Sequence, residues 1–316
     1  MSNQAEQSTS KRAMVISGGG SRGAWGVGVA NGLTNHLGHQ YDMIFGNSTG
    51  SLMGPLVLVN QFERLTKAYT SVTQKDIFNV NPFRKNGKID FICVALRLIG
   101  GKSTLGETEN LKKLINEFIT EEVYEQIRQE GKLFGATCTS LTKSRSEVKN
   151  TNNETYNDMV EWIWASANQP VFMSTLHKNG EAWVDGGIKD FAPICEAIEQ
   201  GADEIDVIIH NTQALTDTQW QQEGNFFNLL LRTIDLFSAD VGEDNIESAK
   251  LKVRLDGDIT LTFYFMTADL VAKAPNSLIF NRRIMTELLH KGLTSLIDGS
   301  ICKVVFKANS SGFTKQ

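Results

Sequence analysis

AMVISGGGSRG, residues 13–23, is the stretch on which the fold turns. Its first five residues form a short apolar run, three glycines end it, and residues 24–37 then carry apolar side chains at helical spacing. That reads as strand, tight loop, helix. The unit repeats at once: residues 41–45 form a second apolar run, Gly46 cuts it, and a helix-like segment with Leu52, Leu56 and Val59 follows. Further strands are predicted at 132–139 and 205–210, separated by helices and by a hairpin-like stretch around Gly180. Strands alternating with helices predict an α/β fold with a largely parallel central sheet flanked by helices. Pro193 opens and Gly201 ends one of those helices, the placement that each backbone favours. Residues 260–266 and 301–306 read as late strands around a helix at 277–297, and the polar stretch 143–158 as a surface loop or hairpin. The pattern divides into a flexible tail (1–12), a core (13–210) and a C-terminal part (211–316) completing the same domain.

Composition narrows the function classes. The 316 residues are 41% apolar and 21% charged, the balance of an ordinary globular protein. A net charge of −5 argues against nucleic-acid binding through phosphate neutralisation. The clusters Arg84, Lys85, Lys88 and Arg282, Arg283 read as solvated faces. Residues 1–11 are polar and lack the apolar stretch of a secretion signal, so a cytoplasmic protein is expected, with room for peripheral contact with membranes. Cys93, Cys138, Cys195 and Cys302 are widely spaced and read as reduced, mostly buried thiols.

The glycine loop has three readings. Gly18 to Gly23 fits GxGxxG between strand and helix, as a dinucleotide site requires, but the acid at the right distance, Asp42, precedes its apolar run instead of closing it. A phosphate-binding P-loop at Gly101-Lys102-Ser103 would need a glycine where Leu96 stands. The third reading is an oxyanion hole, in which glycines expose consecutive backbone N–H groups at a helix N-terminus. The loop alone does not choose between phosphate and oxyanion.

Gly46-Asn47-Ser48-Thr49-Gly50 satisfies GxSxG between a strand and a helix, the context of a nucleophile elbow with Ser48 projecting above the sheet. An ordinary α/β-hydrolase would have more strands before the elbow and a late catalytic histidine. Here His290 lies inside an apparent helix, and His36, His39, His177 and His210 have no motif around them. Downstream, Trp183-Val184-Asp185-Gly186-Gly187 delivers an aspartate into a glycine turn, a composition that a plain β-turn also favours.

The order of glycine loop, GxSxG and Asp-Gly-Gly resembles the patatin-like phospholipase family. Gly18 to Gly23 with Ala24-Trp25 and Gly28-Val29 is similar to the family's oxyanion block. Gly46 to Gly50 is similar to its nucleophile block, Ala165-Ser166 with Pro170 to its third block, and Asp185-Gly186-Gly187 to its catalytic aspartate block. The resemblance implies a three-layer fold and a lipid acyl-ester hydrolase with Ser48 as nucleophile and Asp185 as its partner in a dyad without histidine. It further implies oxyanion N–H groups from the Gly18, Gly19, Gly20, Ser21, Arg22 loop, chiefly Gly19, Gly20 and Ser21, with Arg22 fixing the loop. Pro55 departs from the expected pattern, since it falls inside the helix after the elbow.

On this reading the substrate is a phospholipid or other lipid ester, and neither cofactor nor metal is expected. Asp185 must lie in a desolvated pocket, because a carboxylate of ordinary pKa is a poor base toward serine. The apolar stretch 89–99 is expected to be a core helix, with a lid or lipid-contact segment as the alternative. Two other classes stay open: a nucleotide-binding enzyme using the Gly18 to Gly23 loop, and a non-catalytic interaction module on the same fold.

Overall fold

The computed structural model describes residues 10–84, 87–213, 226–308 and 314–315. Among the described residues, ten strands form one sheet: β1 (Arg12–Ile16), β2 (Met43–Asn47), β3 (Leu133–Ser140), β4 (Arg145–Asn150), β5 (Leu176–Lys178), β6 (Glu181–Asp185), β7 (Glu204–Ile209), β8 (Thr260–Phe265), β9 (Cys302–Lys307) and β10 (Thr314–Lys315). The order is β10-β9-β8-β7-β1-β2-β3-β6-β5, with β4 also paired to β3. The five central strands β8, β7, β1, β2 and β3 run parallel, and the flanking pairs are antiparallel. The chain therefore forms the mixed, mostly parallel α/β sheet expected, with its late strands continuing the same sheet.

Period-two alternation builds two cores from one sheet. Met14, Ile16, Ile44, Phe134 and Ile208 face one helical layer, while Ala13, Val15, Phe45, Leu133 and Val207 face the other. The helices Gly23–Asn31, Thr49–Leu58 and Arg282–Ile297 cover the first face; Ile194–Glu199 and, through Ile246, Ala249 and Val253, the 31-residue helix Phe226–Asp256 cover the second. Helix Gly23–Asn31 lies backbone to backbone on Arg282–Ile297, where a Cβ on Gly28 would come 2.1 Å from the Leu289 carbonyl oxygen.

Several boundaries move. The first strand begins at Arg12, inside the expected tail, whose residues 1–9 lie outside those described. The helix after the glycine loop changes to a π-helical turn at Gly32–His36. The late helix starts at Arg282, not 277, because Asn281 caps it by accepting from the N–H groups of Arg283 and Ile284. The polar stretch at 143–158 resolves into the β3–β4 hairpin and the start of helix Tyr156–Ser166. All four cysteines are free, but only Cys138 is buried; the other three are half-buried.

The stretch 89–99 overturns its expectation. Helix Phe91–Ile99 is not a core helix: only Val94 is buried, while Ile92 is 68%, Leu96 66% and Ile99 84% exposed. Apolar periodicity identifies a helix with one greasy face, and the direction of that face is set by where tertiary packing puts the helix.

Candidate active site

β1 has β2 on one side and β7 on the other, so the chain leaves it in opposite directions at the carboxyl ends of the strands. Such a switch point opens a crevice in α/β sheets. Three of the segments that border it follow β1, β2 and β7 directly.

After β2 the chain turns sharply at Ser48, whose φ of 53° and ψ of −120° put an L-residue in a strained region. The turn is this tight because side chains are missing on both sides of it. A Cβ on Gly46 would come 2.4 Å from the Gly50 backbone, and one on Gly50 would come 2.2 Å from the Ile16 carbonyl oxygen. The Ser48 N–H donates to the buried Ser166 hydroxyl at 3.1 Å, and the Ser48 carbonyl accepts from Ser51 Oγ at 2.6 Å. Helix Thr49–Leu58 then starts, directing its positive end at Ser48. Pro55 does lie inside that helix, in its last turn.

Asp185 closes β6 beside Cys138 of β3. It is buried, and its Oδ1 accepts from the Gly187 N–H at 2.8 Å. Burial pushes its carboxyl up to about 6, against the opposing pull of the Gly187 N–H and the nearby Ser48 and Asn47 side chains. The Asn47 amide is buried and has no hydrogen-bond partner among the described residues. It fills the space between the glycine loop and the Asp185 turn, where a Cβ on Gly18 would meet its Nδ2 at 2.9 Å and one on Gly187 would meet it at 2.8 Å.

The glycine loop borders the same spot: a Cβ on Gly18 would lie 3.4 Å from Ser48 Cβ. Its N–H groups are not equivalent. Gly18 N–H donates to Phe191 O at 3.3 Å, Ser21 N–H to Ser277 O at 2.8 Å and Arg22 N–H to Gly19 O at 3.1 Å. Ser21 is thereby removed from the expected set of oxyanion donors, and Gly19 and Gly20 keep N–H groups with no protein acceptor among the described residues. The Arg22 guanidinium donates to the Ala274 and Pro275 carbonyls at 2.9 and 3.2 Å, tying the loop to the C-terminal third. Burial lowers its pKa, with Asp235 acting the other way.

Of the five histidines, His210 enters the site region. It is buried, edge-on to Trp25, and its Nδ1 faces the Ser17 and Gly18 carbonyls at 3.0 and 3.3 Å, so that nitrogen carries the proton. Burial drops its pKa to about 4, which keeps the ring neutral. The ring props the loop from below, and its Nε2 is buried without a partner among the described residues.

Ser48, Asp185 and the glycine loop line a cavity of about 210 Å³. Leu52, Leu56, Leu65, Leu111, Ile115 and Phe118 extend it as an apolar channel, from helices Thr49–Leu58, Phe62–Ser71 and Glu109–Phe118. A hydroxyl, a raised carboxylate and free N–H donors thus share a chamber with room for an apolar chain.

A family model described as patatin-like phospholipase matches residues 14–198. The chain belongs to the patatin-like phospholipase family. All four sequence blocks of the resemblance fall inside that match. Among solved structures, VipD from Legionella pneumophila is similar at 12% identity with a TM-score of 0.45, over 94% of this chain and 68% of that one. No curated protein matches the sequence significantly. Family membership supports lipid acyl hydrolase activity in general terms.

Residues beyond the matched region also build this patatin-like site. Ser277 accepts the Ser21 N–H, while Arg232, Asp235 and Ser238 of helix Phe226–Asp256 line the cavity. Sequence reasoning missed all of them. Asn47 stands inside the GxSxG block, and its place next to Ser48 is the sequence signal for it.

Proposed function

We propose that this protein is a serine acyl-ester hydrolase of the phospholipase A or lysophospholipase type, working through a Ser48–Asp185 dyad. The observation that carries the proposal is a single one: the strained Ser48 and the buried, pKa-raised Asp185 line the same cavity, whose other walls are largely apolar.

Asp185 takes the Ser48 hydroxyl proton as Oγ adds to the ester carbonyl, and the carbonyl oxygen becomes an oxyanion beside the Gly19 and Gly20 N–H groups. Collapse of the intermediate breaks the ester C–O bond, and the proton on Asp185 passes to the departing alcohol. Water then adds to the acyl-serine with Asp185 again as base, and the carboxylic acid leaves with Ser48 restored. A carboxyl at about 6 suits both directions of transfer near neutral pH. The acyl chain gains about 0.8 kcal/mol per buried methylene in the channel, which favours long chains.

Labelling with a serine-directed phosphonate separates this reading from a nucleotide-binding enzyme or a non-catalytic module. The expected result is stoichiometric modification of Ser48, lost in Asp185→Asn, together with release of fatty acid from a phospholipid panel. Unlabelled Ser48 in correctly folded protein would sink the proposal.

A further inference from the structure

Residues 80–84 and 87–107 form a surface excursion rooted in the main core by Phe83, Ile89, Val94 and Leu105. The Val80–Glu107 bridge closes the excursion at its base, and the Phe83–Ile89 bridge narrows it again. It is fastened to both sides of the channel wall. Leu105 N–H donates to Val171 O next to the cavity-lining Pro170, and Gly87 approaches Ile279 between the cavity-lining Leu278 and Phe280.

Helix Phe91–Ile99 at its tip is inside out. The inner face holds Cys93, Val94 and Arg97, and Arg97 is anchored by donating to Thr104 O and Glu107 Oε1. The outer face is Phe91, Ile92, Ala95, Leu96, Leu98 and Ile99, an arc without one polar side chain. A helix facing only water carries the opposite pattern. The polar residues lie at its two ends instead, where exposed Arg84, Lys88 and Lys102 flank the apolar arc. Counted on the sequence, residues 80–107 hold five basic residues (Arg84, Lys85, Lys88, Arg97, Lys102) against two acids (Asp90, Glu107), a surplus of three positive charges. The whole chain carries −5. On a negatively charged protein, a locally positive segment with an apolar arc beside the channel is suited to an anionic bilayer, since such attraction acts only within about a Debye length.

We propose that helix Phe91–Ile99 is the docking element that seats this protein on an anionic membrane surface, its apolar arc entering the headgroup boundary and Arg84, Lys88 and Lys102 meeting lipid phosphates. The proposal deepens the lipid-hydrolase reading, on which it rests for its meaning, by naming where the substrate enters. One apolar insertion plus a basic patch is the combination that gives stable yet reversible attachment. None of the described helices is long and apolar enough to cross a membrane.

The test is cosedimentation with phosphatidylcholine vesicles containing phosphatidylserine. Wild-type protein should bind, bind at least tenfold more weakly to pure phosphatidylcholine, and dissociate at high salt. The triple variant Ile92→Gln, Leu96→Gln, Ile99→Gln should lose vesicle binding at least tenfold and keep hydrolysis of a soluble short-chain ester. Wild type that stays in solution, or a triple variant that binds undiminished, overturns docking. So does a wild-type dimer that the triple variant dissolves while vesicle binding persists, for then the arc is covered by a second copy. Should the triple variant fail to fold, Ile99→Trp decides: its added emission should shift to the blue and escape aqueous iodide on anionic vesicles, and unchanged emission overturns the proposal. Binding is read without turnover. An inactive wild type would therefore remove the hydrolase reading while leaving the docking result standing.

Discussion

The two turns that follow β1 and β2 share a plan and differ in what they present. Each ends a buried parallel strand, reverses at a residue with φ of 53°, and opens into a helix. In the first turn that residue is Gly20, which occupies the conformation without a Cβ penalty and leaves bare N–H groups. In the second it is Ser48, which is strained there and is held by the Ser166 hydroxyl, the Ser51 hydroxyl and two flanking glycines. The same positive φ serves in a donor cradle or in a mount for a nucleophile, according to whether the residue that adopts it has a side chain.

The largest break in that comparison is Ser48→Ala, which leaves the cradle and empties the mount. Ester hydrolysis should fall to background while the fold persists, since a half-buried hydroxyl that lines the cavity adds little packing. Turnover by the purified variant above a small fraction of wild type would refute the assignment. Asp185→Asn comes next, with an expected loss of about 10² to 10⁴ in turnover because asparagine cannot accept the serine proton.

The pH profile sharpens the Asp185 test. With the carboxyl raised to about 6 in the folded protein, kcat/KM should fall as pH drops through about 6. Stability runs the other way. A raised carboxyl binds its proton more tightly when folded, so its stabilising contribution is fully present below the unfolded pKa of about 3.9 and is lost as pH rises through about 6. Asp190 is raised to about 6 as well, by burial and then by Glu196, but it does not line the cavity. Asp190→Asn should therefore leave the activity inflection in place, and a shifted inflection would move the base away from Asp185.

Local patterns made both turns legible before any coordinates. GxSxG and the triple glycine are dictated by backbone contacts within a few residues, such as Gly46 against Gly50, so the sequence must display them. What completes the cradle is not local. Ser277 O takes the Ser21 N–H from more than 250 positions away, and His210 supports Ser17 and Gly18 from the end of β7. A carbonyl acceptor has no side-chain signature, and a buried histidine has no spacing to betray it. Helix Phe91–Ile99 differs for a related reason: its apolar stripe is visible in the sequence, but the side it faces depends on the burial of Val94 and on the two bridges that fix the segment.

Gly20→Ala attacks the cradle. Its Cβ would come 2.2 Å from Ser277 O, so the loop must shift and carry the Gly19 and Gly20 N–H groups with it. Loss of one oxyanion donor typically costs about 10² to 10³ in rate, and a drop of that size is expected, with phosphonate labelling of Ser48 slowed in parallel. Unchanged turnover would show that these two N–H groups do not meet the oxyanion.

The smallest effect separates strain from chemistry in the mount itself. Ser48→Ala and Ser48→Gly should be equally inactive, yet they should differ in stability because alanine keeps the Cβ that makes φ of 53° costly and glycine removes it. Relief of a left-handed residue amounts to about 1 to 2 kcal/mol, and the extra backbone entropy of glycine in the unfolded chain returns about 0.5 to 1 kcal/mol of it. Ser48→Gly should therefore unfold at higher denaturant than Ser48→Ala, by about 0.5 to 1 kcal/mol, with an unchanged m-value. The same pair at Gly20 keeps that order, since there the glycine is native and the alanine meets a carbonyl oxygen. If Ser48→Gly were no more stable than Ser48→Ala, the tethers from Ser166 and Ser51 would not be holding a strained residue. The two turns would then differ in their side chains alone.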